Sequence, residues 1–466
     1  MLFALCSSPL LFVDQPNGYF SMLAISMAVY FATFGLLDAA SMFSPAVKAQ
    51  AHEDFVSPGE IVILVAVLML NVGFHAVVRL PKPASSGGQI KDWPARTLLI
   101  MGLLLWAAGC GAQLYQSLVL ITENTNAAVA AGFSKIGIWF TSALILFEVY
   151  AGPLGVVLLG YWWTTSSRKA GNVVIAFVVF AQFIAGWVVD TKSFALSPLF
   201  IILLTRFFAT GRLPVRLLLA GLVGTSLVFP VMTAKRVIMN DAQMSRAQSL
   251  SHTWEFLVRA VEHQDEYRNN KYGDATSSFL ERSTDKGAVE IFAANIGKTH
   301  PYRMGTTLDP LLYVFIPRVA WSGKPGANSA QTFNREFHIS ADPDTYISPT
   351  HMGELYWNFG WPGVVIGMAL SGALLGYVAK RFNPADRPSM TSVLVIMVTL
   401  YLLVIGRGGS IGTEYVVWLR SMALIGVLHL VFARAVRAAP HLHDADDGCS
   451  KVAAPLIPVR FPNLLR

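Results

Sequence analysis

The chain alternates between long apolar runs and short polar segments. Ten runs approach the roughly twenty residues that a helix needs to cross a hydrocarbon core of about 30 Å: 20–41, 60–78, 98–121, 137–163, 173–189, 194–209, 213–233, 355–379, 390–406 and 416–436. Most are apolar all round, with no polar stripe, as expected of helices surrounded by lipid or by other helices. The pattern predicts an all-α, polytopic transmembrane helical bundle of about ten spans. An even number of spans puts both termini on the same side.

The basic residues provide an independent test, because one span too many or too few would scramble their alternation. Arg79, Lys82, Lys91 and Arg96 share one connection, Arg168 and Lys169 the next on that side, then Arg212 and Arg216, then Lys380, Arg381 and Arg387, and finally Arg434 and Arg437. All five clusters fall on one face, which the positive-inside rule makes cytoplasmic. The opposite connections carry only Lys48, Lys135, Lys192 and Arg407 apart from one long polar stretch. The predicted location is a bacterial inner membrane, multi-pass, with both termini cytoplasmic.

That stretch divides the chain into an N-terminal transmembrane bundle of about seven spans (1–233), a large periplasmic loop (234–353), about three C-terminal transmembrane helices (354–436) and a cytoplasmic tail (437–466). Long loops translocate regardless of their charge. Trp254, Leu257, Val258 and Val261 sit at helical spacing, and a second helix is expected from Phe279 to Ile296. Pro301, Pro310, Pro317 and Pro325 then break the chain into turns. A loop of this length with elements of its own is expected to be functional.

Composition sharpens the class. The 466 residues are 54% hydrophobic and 14% charged, whereas soluble domains carry about 25% charged residues. A soluble enzyme is excluded. The net charge of +7 follows from the cytoplasmic loops, so nucleic acid is not an expected partner. Cys6, Cys110 and Cys449 share neither a compartment nor ligand spacing, which argues against a disulfide framework and a structural zinc. Residues 1–13 lack a basic start and a small-residue cleavage site, and read as an interfacial helix or the remnant of a span rather than a signal peptide.

Three clusters carry candidate chemistry. In the last third of the loop, Arg318 and Lys324 flank an apolar run and Trp321. Fixed cations beside an apolar face suit a lipid-linked phosphate or pyrophosphate; the alternative is interfacial anchoring. Next, His351 and Glu354 stand three residues apart, so on a helix they share a face, and either suits a general base near the outer surface. Tyr356, Trp357, Phe359 and Trp361 follow, fit for stacking on sugar rings or for an aromatic belt. The third cluster is Gly406-Arg-Gly-Gly-Ser410, where glycines let backbone N–H groups approach an anion and Arg407 either binds that anion, pairs with Glu414 or snorkels to water. Lys192 joins this external cationic set.

Among the embedded polar residues, Arg206 is expected to snorkel inward, Glu148 to make an interhelical hydrogen bond or to be a protonated buried acid, and Asn71 and His75 are weaker signals. The chain has no phosphate-binding loop, His-Glu-x-x-His, Gly-x-Ser-x-Gly elbow or dinucleotide fingerprint. No metal or nucleotide cofactor is expected.

The string Ile-Pro-Arg318 with Trp321 and Lys324-Pro, followed by Gly353-Glu-Leu-Tyr-Trp-Asn-Phe-Gly-Trp-Pro-Gly363 and a span ending in Lys380-Arg381, resembles the bacterial O-antigen polymerases (Wzy), or oligosaccharide repeat unit polymerases. The segments 407–410 and 192–198 resemble further positions of that family. The resemblance implies an inner-membrane glycosyltransferase that joins undecaprenyl-pyrophosphate-linked repeat units into O-antigen, capsule or exopolysaccharide chains on the periplasmic side. It implies that Arg318, Lys324 and Arg407 bind the pyrophosphate, that Glu354 or His351 is the catalytic base, and that Lys192, Trp321, Tyr356 and Asn358 contact substrate. The implied partners are the lipid-linked glycans, the bilayer, a chain-length regulator and a repeat-unit flippase. The rival readings are an O-antigen ligase transferring finished polysaccharide to lipid A-core, and a transporter or flippase of lipid-linked sugars.

Overall fold

The computed structural model describes residues 19–35, 57–80, 91–117, 147–166, 168–189, 191–210, 286–316, 323–325, 329–340, 346–382 and 389–435, with a few single residues between them. The helices are α1 (Tyr19–Phe34), α2 (Pro58–Val78), α3 (Ala95–Tyr115), α4 (Gly152–Thr165), α5 (Arg168–Val189), α6 (Lys192–Thr210), α7 (Lys286–Asn295), α8 (Ser329–Phe337), α9 (His351–Phe382), α10 (Met390–Thr399) and α11 (Ile411–Phe432). Five of the described helices are long and apolar enough to cross a membrane, and three shorter apolar ones accompany them. The protein is therefore a mostly helical, polytopic membrane-spanning bundle with a helical region outside the spans. The predicted run 213–233 and the predicted helix at 254–261 lie outside the described residues. Of the expected helix 279–296, the described part is α7.

Local sequence accounts for the helix starts. Ser57 and Glu60 form a reciprocal capping box ahead of Pro58, satisfying backbone donors that a helix start leaves open. Ser389 and Ser410 cap α10 and α11 by accepting from Ser392 and Thr413 N–H groups.

Contacts between helix ends bring several of the basic segments together. Lys91–Asp92 pairs antiparallel with Arg434–Ala435. Asp92 accepts from Met390 N at 3.0 Å and from the Tyr161 hydroxyl at 2.9 Å, and Lys380 Nζ bonds the carbonyls of Val77 and Leu80 at the end of α2. The starts of α3 and α10 and the ends of α2, α4, α9 and α11 thus meet at one basic end. At the other end, Lys286 of α7 pairs with Glu60 at the start of α2, so the non-membrane helices cover the face opposite the basic clusters.

α2 and α9 form the tightest pair. A Cβ on Gly73 would overlap the Ala369 carbonyl, and one on Gly372 would overlap that of Leu70. These glycines let the two backbones touch, as small residues do between membrane helices.

Two predicted spans differ from the sequence expectation. Residues 355–379 read as one run, but α9 breaks at Gly360, whose φ of 62° and ψ of −144° are not helical. The chain folds back there: a Cβ on Gly363 would meet the Leu355 carbonyl, and one on Gly367 the Leu355 side chain. Residues 351–359 therefore form a re-entrant limb against the span 361–382. The reason is local, since Gly360 tolerates the left-handed backbone and Pro362 has no N–H to offer Asn358. The freed carbonyls of Trp357 and Asn358 accept instead from the N–H groups of Arg303 and Met304 at 3.0 and 3.1 Å. The run 390–406 is likewise no uniform helix: after Thr399 it passes through a π-turn (Leu400–Val404) and a 3-10 turn (Ile405–Gly408).

Candidate functional site

The re-entrant limb meets the start of α11 and the end of the long loop, three regions far apart in sequence. Its helix starts at Thr350, a fully buried β-branched residue held at φ 59°, a strained conformation of the kind that persists where surrounding structure enforces it. The Thr350 hydroxyl accepts from Gly353 N at 3.0 Å, which fixes the first turn carrying His351 and Glu354.

Glu354 is fully buried. Its Oε2 accepts from Ile411 N at 2.5 Å, so an acidic side chain sits on the N-terminal end of α11, where backbone donors and the helix dipole favour an anion. The hydroxyls of Thr307, Ser329 and Ser410 lie around the same carboxyl group. Oε1 and the Ser329 hydroxyl are both buried without a hydrogen-bond partner among the described residues. A buried acceptor and a buried hydroxyl of this sort require a polar neighbour.

Asn358 lies one turn on and is also fully buried. Its Oδ1 accepts from Gly305 N at 2.8 Å, and its Nδ2 donates to Thr307 Oγ1 at 2.7 Å and to the Glu354 carbonyl at 2.8 Å. The amide therefore ties the loop to the limb. His351 is buried, with its ring 5.6 Å from that of Tyr415, and Tyr415 in turn meets the Ser371 hydroxyl at 2.7 Å. His351 and Glu354 are thus carried below the Gly360 turn and into the bundle; the sequence expectation placed them on a helix entering the span at the outer surface. The correction follows from the fold-back at Gly360.

The aromatic residues divide. Trp357 packs inside a cluster with Phe292, Phe333 and Phe337 and is core. Tyr356 is mostly buried, edge-on to Trp361 at 5.7 Å. Trp321 is exposed and edge-on to Tyr313 at 5.5 Å.

Of the predicted cations, Lys324 is described and half-buried. Its Nζ donates to the carbonyls of Tyr313 and Ile316 at 2.9 and 2.8 Å and lies 5.1 Å from the Tyr313 ring centre. It braces the loop. Arg318 and the side chains of Arg407 and Lys192 lie outside the described residues. The backbone of Arg407 belongs to the 3-10 turn, against which the Glu414 carboxylate packs beside Gly406 and Gly409.

Embedded polar residues have partners of their own. Glu148 sits beside the side chain of Gln116, Asn71 donates to the Val67 carbonyl at 2.9 Å and to Met27 Sδ at 3.1 Å, and the Arg206 guanidinium lies 4.1 Å over the Trp163 ring.

Sequence reading missed Ser329, Thr307 and Arg420. Arg420 stands within an apolar run and bonds the Val314 carbonyl through Nε at 2.9 Å and Nη2 at 2.7 Å; the rarity of arginine inside spans was the signal that could have found it. Nothing in the local sequence marks the two hydroxyls.

No group of three or more potential metal ligands occurs among the described residues. The chain matches no protein-family profile, and no curated protein or solved structure is similar to it.

Proposed function

We propose that the protein is a membrane glycosyltransferase that extends lipid-pyrophosphate-linked oligosaccharide, in the manner of the repeat-unit polymerases its motifs resemble. One observation carries this reading. Two of the segments on which the resemblance rests meet: Glu354 of the Gly353–Gly363 string reaches Ile411, next to the Gly406–Ser410 segment, and Asn358 holds Gly305 and Thr307 of the loop.

In this reading Glu354 is the base. Oε2 is held by Ile411 N–H, while Oε1 is buried beside the Thr307, Ser329 and Ser410 hydroxyls without a close hydrogen bond; one oxygen then orients the carboxylate and the other is assigned the proton of the attacking sugar hydroxyl. That hydroxyl oxygen bonds to the anomeric carbon of the donor as the carbon–oxygen bond to pyrophosphate breaks, and the lipid pyrophosphate leaves with the electron pair. Arg318 and Arg407 neutralise the leaving anion. Lys324, engaged with the Tyr313 and Ile316 carbonyls, holds the loop.

The test is deletion of the gene in its bacterial host with complementation by wild type, Arg318→Ala or Arg407→Ala, followed by surface polysaccharide gels. The expected result is single-repeat product on the core in the deletion, and the same product in both variants at wild-type protein level. Unchanged long chains in the variants overturn the cation roles. A core with nothing attached in the deletion overturns polymerase in favour of ligase or flippase.

A further inference from the structure

We propose that residues 306–316 form a re-entrant segment inserted into the lipid bilayer beside α11, with Leu312, Phe315 and Ile316 facing acyl chains. The inference concerns the loop's membrane contact and does not depend on the catalytic reading.

The first argument is depth. Ser371 lies eleven residues past the Gly360 turn, about 16 Å along a helix at 1.5 Å per residue. The hydroxyl of Tyr415 contacts it, so α11 starts below the tip of the α9 fold-back. The loop follows α11 downward. Gly412 lies against the Thr307 carbonyl and the Pro310 ring, and Arg420, two turns further along α11, holds the Val314 carbonyl. Helical side chains lean toward the helix start, which raises the guanidinium by about one turn and still leaves Val314 well below Gly360.

The second argument is the outward surface. The segment Leu311-Leu-Tyr-Val-Phe-Ile316 is continuously apolar. Leu312 is 85% exposed, Phe315 64%, and Ile316 and Trp321 about two-fifths. Adjacent large apolar side chains turned outward mark an interaction surface, and beside the apolar α11 the medium that suits it is hydrocarbon.

The third argument is the backbone. Irregular chain at membrane depth persists only where its polar groups are satisfied by protein. Two cations contribute to this: Arg420 takes the Val314 carbonyl, and Lys324 takes those of Tyr313 and Ile316. Within the turn, Leu312 N donates to Asp309 O and Ile316 N to Tyr313 O. An exposed loop in water has no need of such capping, because water supplies it.

The experiment uses the full chain with its three cysteines replaced by serine, reconstituted in phospholipid nanodiscs. Single nitroxide labels are placed by Leu312→Cys and Phe315→Cys, with Leu430→Cys on the exposed face of α11 and Thr299→Cys on the polar loop as references. Collision with oxygen, which concentrates in hydrocarbon, is compared with collision with a water-soluble nickel complex. The expected result is an oxygen-to-nickel ratio at Leu312 and Phe315 close to that at Leu430 and several-fold above that at Thr299. Arg420→Gln is expected to raise nickel access at Phe315 by releasing the Val314 carbonyl. A ratio like that of Thr299 overturns the proposal in favour of a water-exposed loop. Low collision with both reagents overturns it in favour of cover by protein, including a second copy of this chain.

Discussion

Glu354 Oε2 and the backbone N–H of Ile411 are joined by a 2.5 Å hydrogen bond across 57 positions of sequence. The bond places a carboxylate on the first residue of α11 from a limb that has folded back at Gly360. It therefore links the shape of α9 to the position of the Gly406–Ser410 turn, and makes Glu354 both a structural cap and the proposed base. The two roles are separable by substitution.

Glu354→Gln keeps an oxygen for Ile411 N–H but removes the acceptor of a proton. The expected outcome is wild-type protein level and thermal stability with loss of long polysaccharide chains. Glu354→Ala leaves the Ile411 donor buried and unpaired, at a cost of about 1–3 kcal/mol, so its melting temperature in detergent is expected to fall as well. Full chain length with Glu354→Gln moves the base assignment to His351.

Asn358 joins the loop to the limb through three hydrogen bonds, to Gly305 N, Thr307 Oγ1 and the Glu354 carbonyl. Asn358→Leu strands the Gly305 N–H, with a destabilisation of about 1–3 kcal/mol for each buried group left unpaired. Protease digestion in detergent is the measurement. Faster cleavage in the loop before Thr307 than in the bundle is expected, and equal rates throughout contradict a tethering role.

Gly360 occupies a left-handed backbone conformation. With ψ at −144° the conformation is one that only glycine adopts readily, so Gly360→Ala is expected to destabilise by about 1–3 kcal/mol, with loss of activity as the limb carrying Glu354 shifts. Gly372→Leu is expected to act more severely, because even a Cβ overlaps the Leu70 carbonyl and the backbone cannot rotate away as a side chain does. Folded yield by size-exclusion chromatography compares them; equal yields for Gly372→Leu and wild type contradict the tight α2 and α9 pairing.

The Arg303 and Glu336 ion pair is a contrasting case. Arg303 is partly exposed, and such pairs contribute about 0–1 kcal/mol. Arg303→Ala retains the backbone bond to the Trp357 carbonyl, so near-wild-type stability and chain length are expected. A large loss in either shows that the guanidinium has a role beyond the ion pair, such as its place over the Trp357 ring.

The membrane bundle was legible because hydrophobic length is a property of consecutive residues. Apolar runs such as 60–78 and 98–121 needed no partner to announce a helix; that Lys91–Asp92 pairs with Arg434–Ala435, and that Lys380 caps the end of α2, took the fold to show. His351 and Glu354 were legible as one-sided spacing on a helix, and Asn358 as part of the string that follows them. Their depth was not, because it depends on one backbone angle at Gly360 and on what receives the carbonyls that Pro362 leaves free. Ser329 and Thr307 became part of the site only when the loop closed over Glu354, and Arg420 gained its meaning only when Val314 came within reach. Sequence alone determined that the chain is a bundle of long apolar helices, since transfer into lipid is a sum over neighbours along the chain. Tertiary structure decided which polar groups meet inside the bundle, since buried donors and acceptors must be matched across the fold.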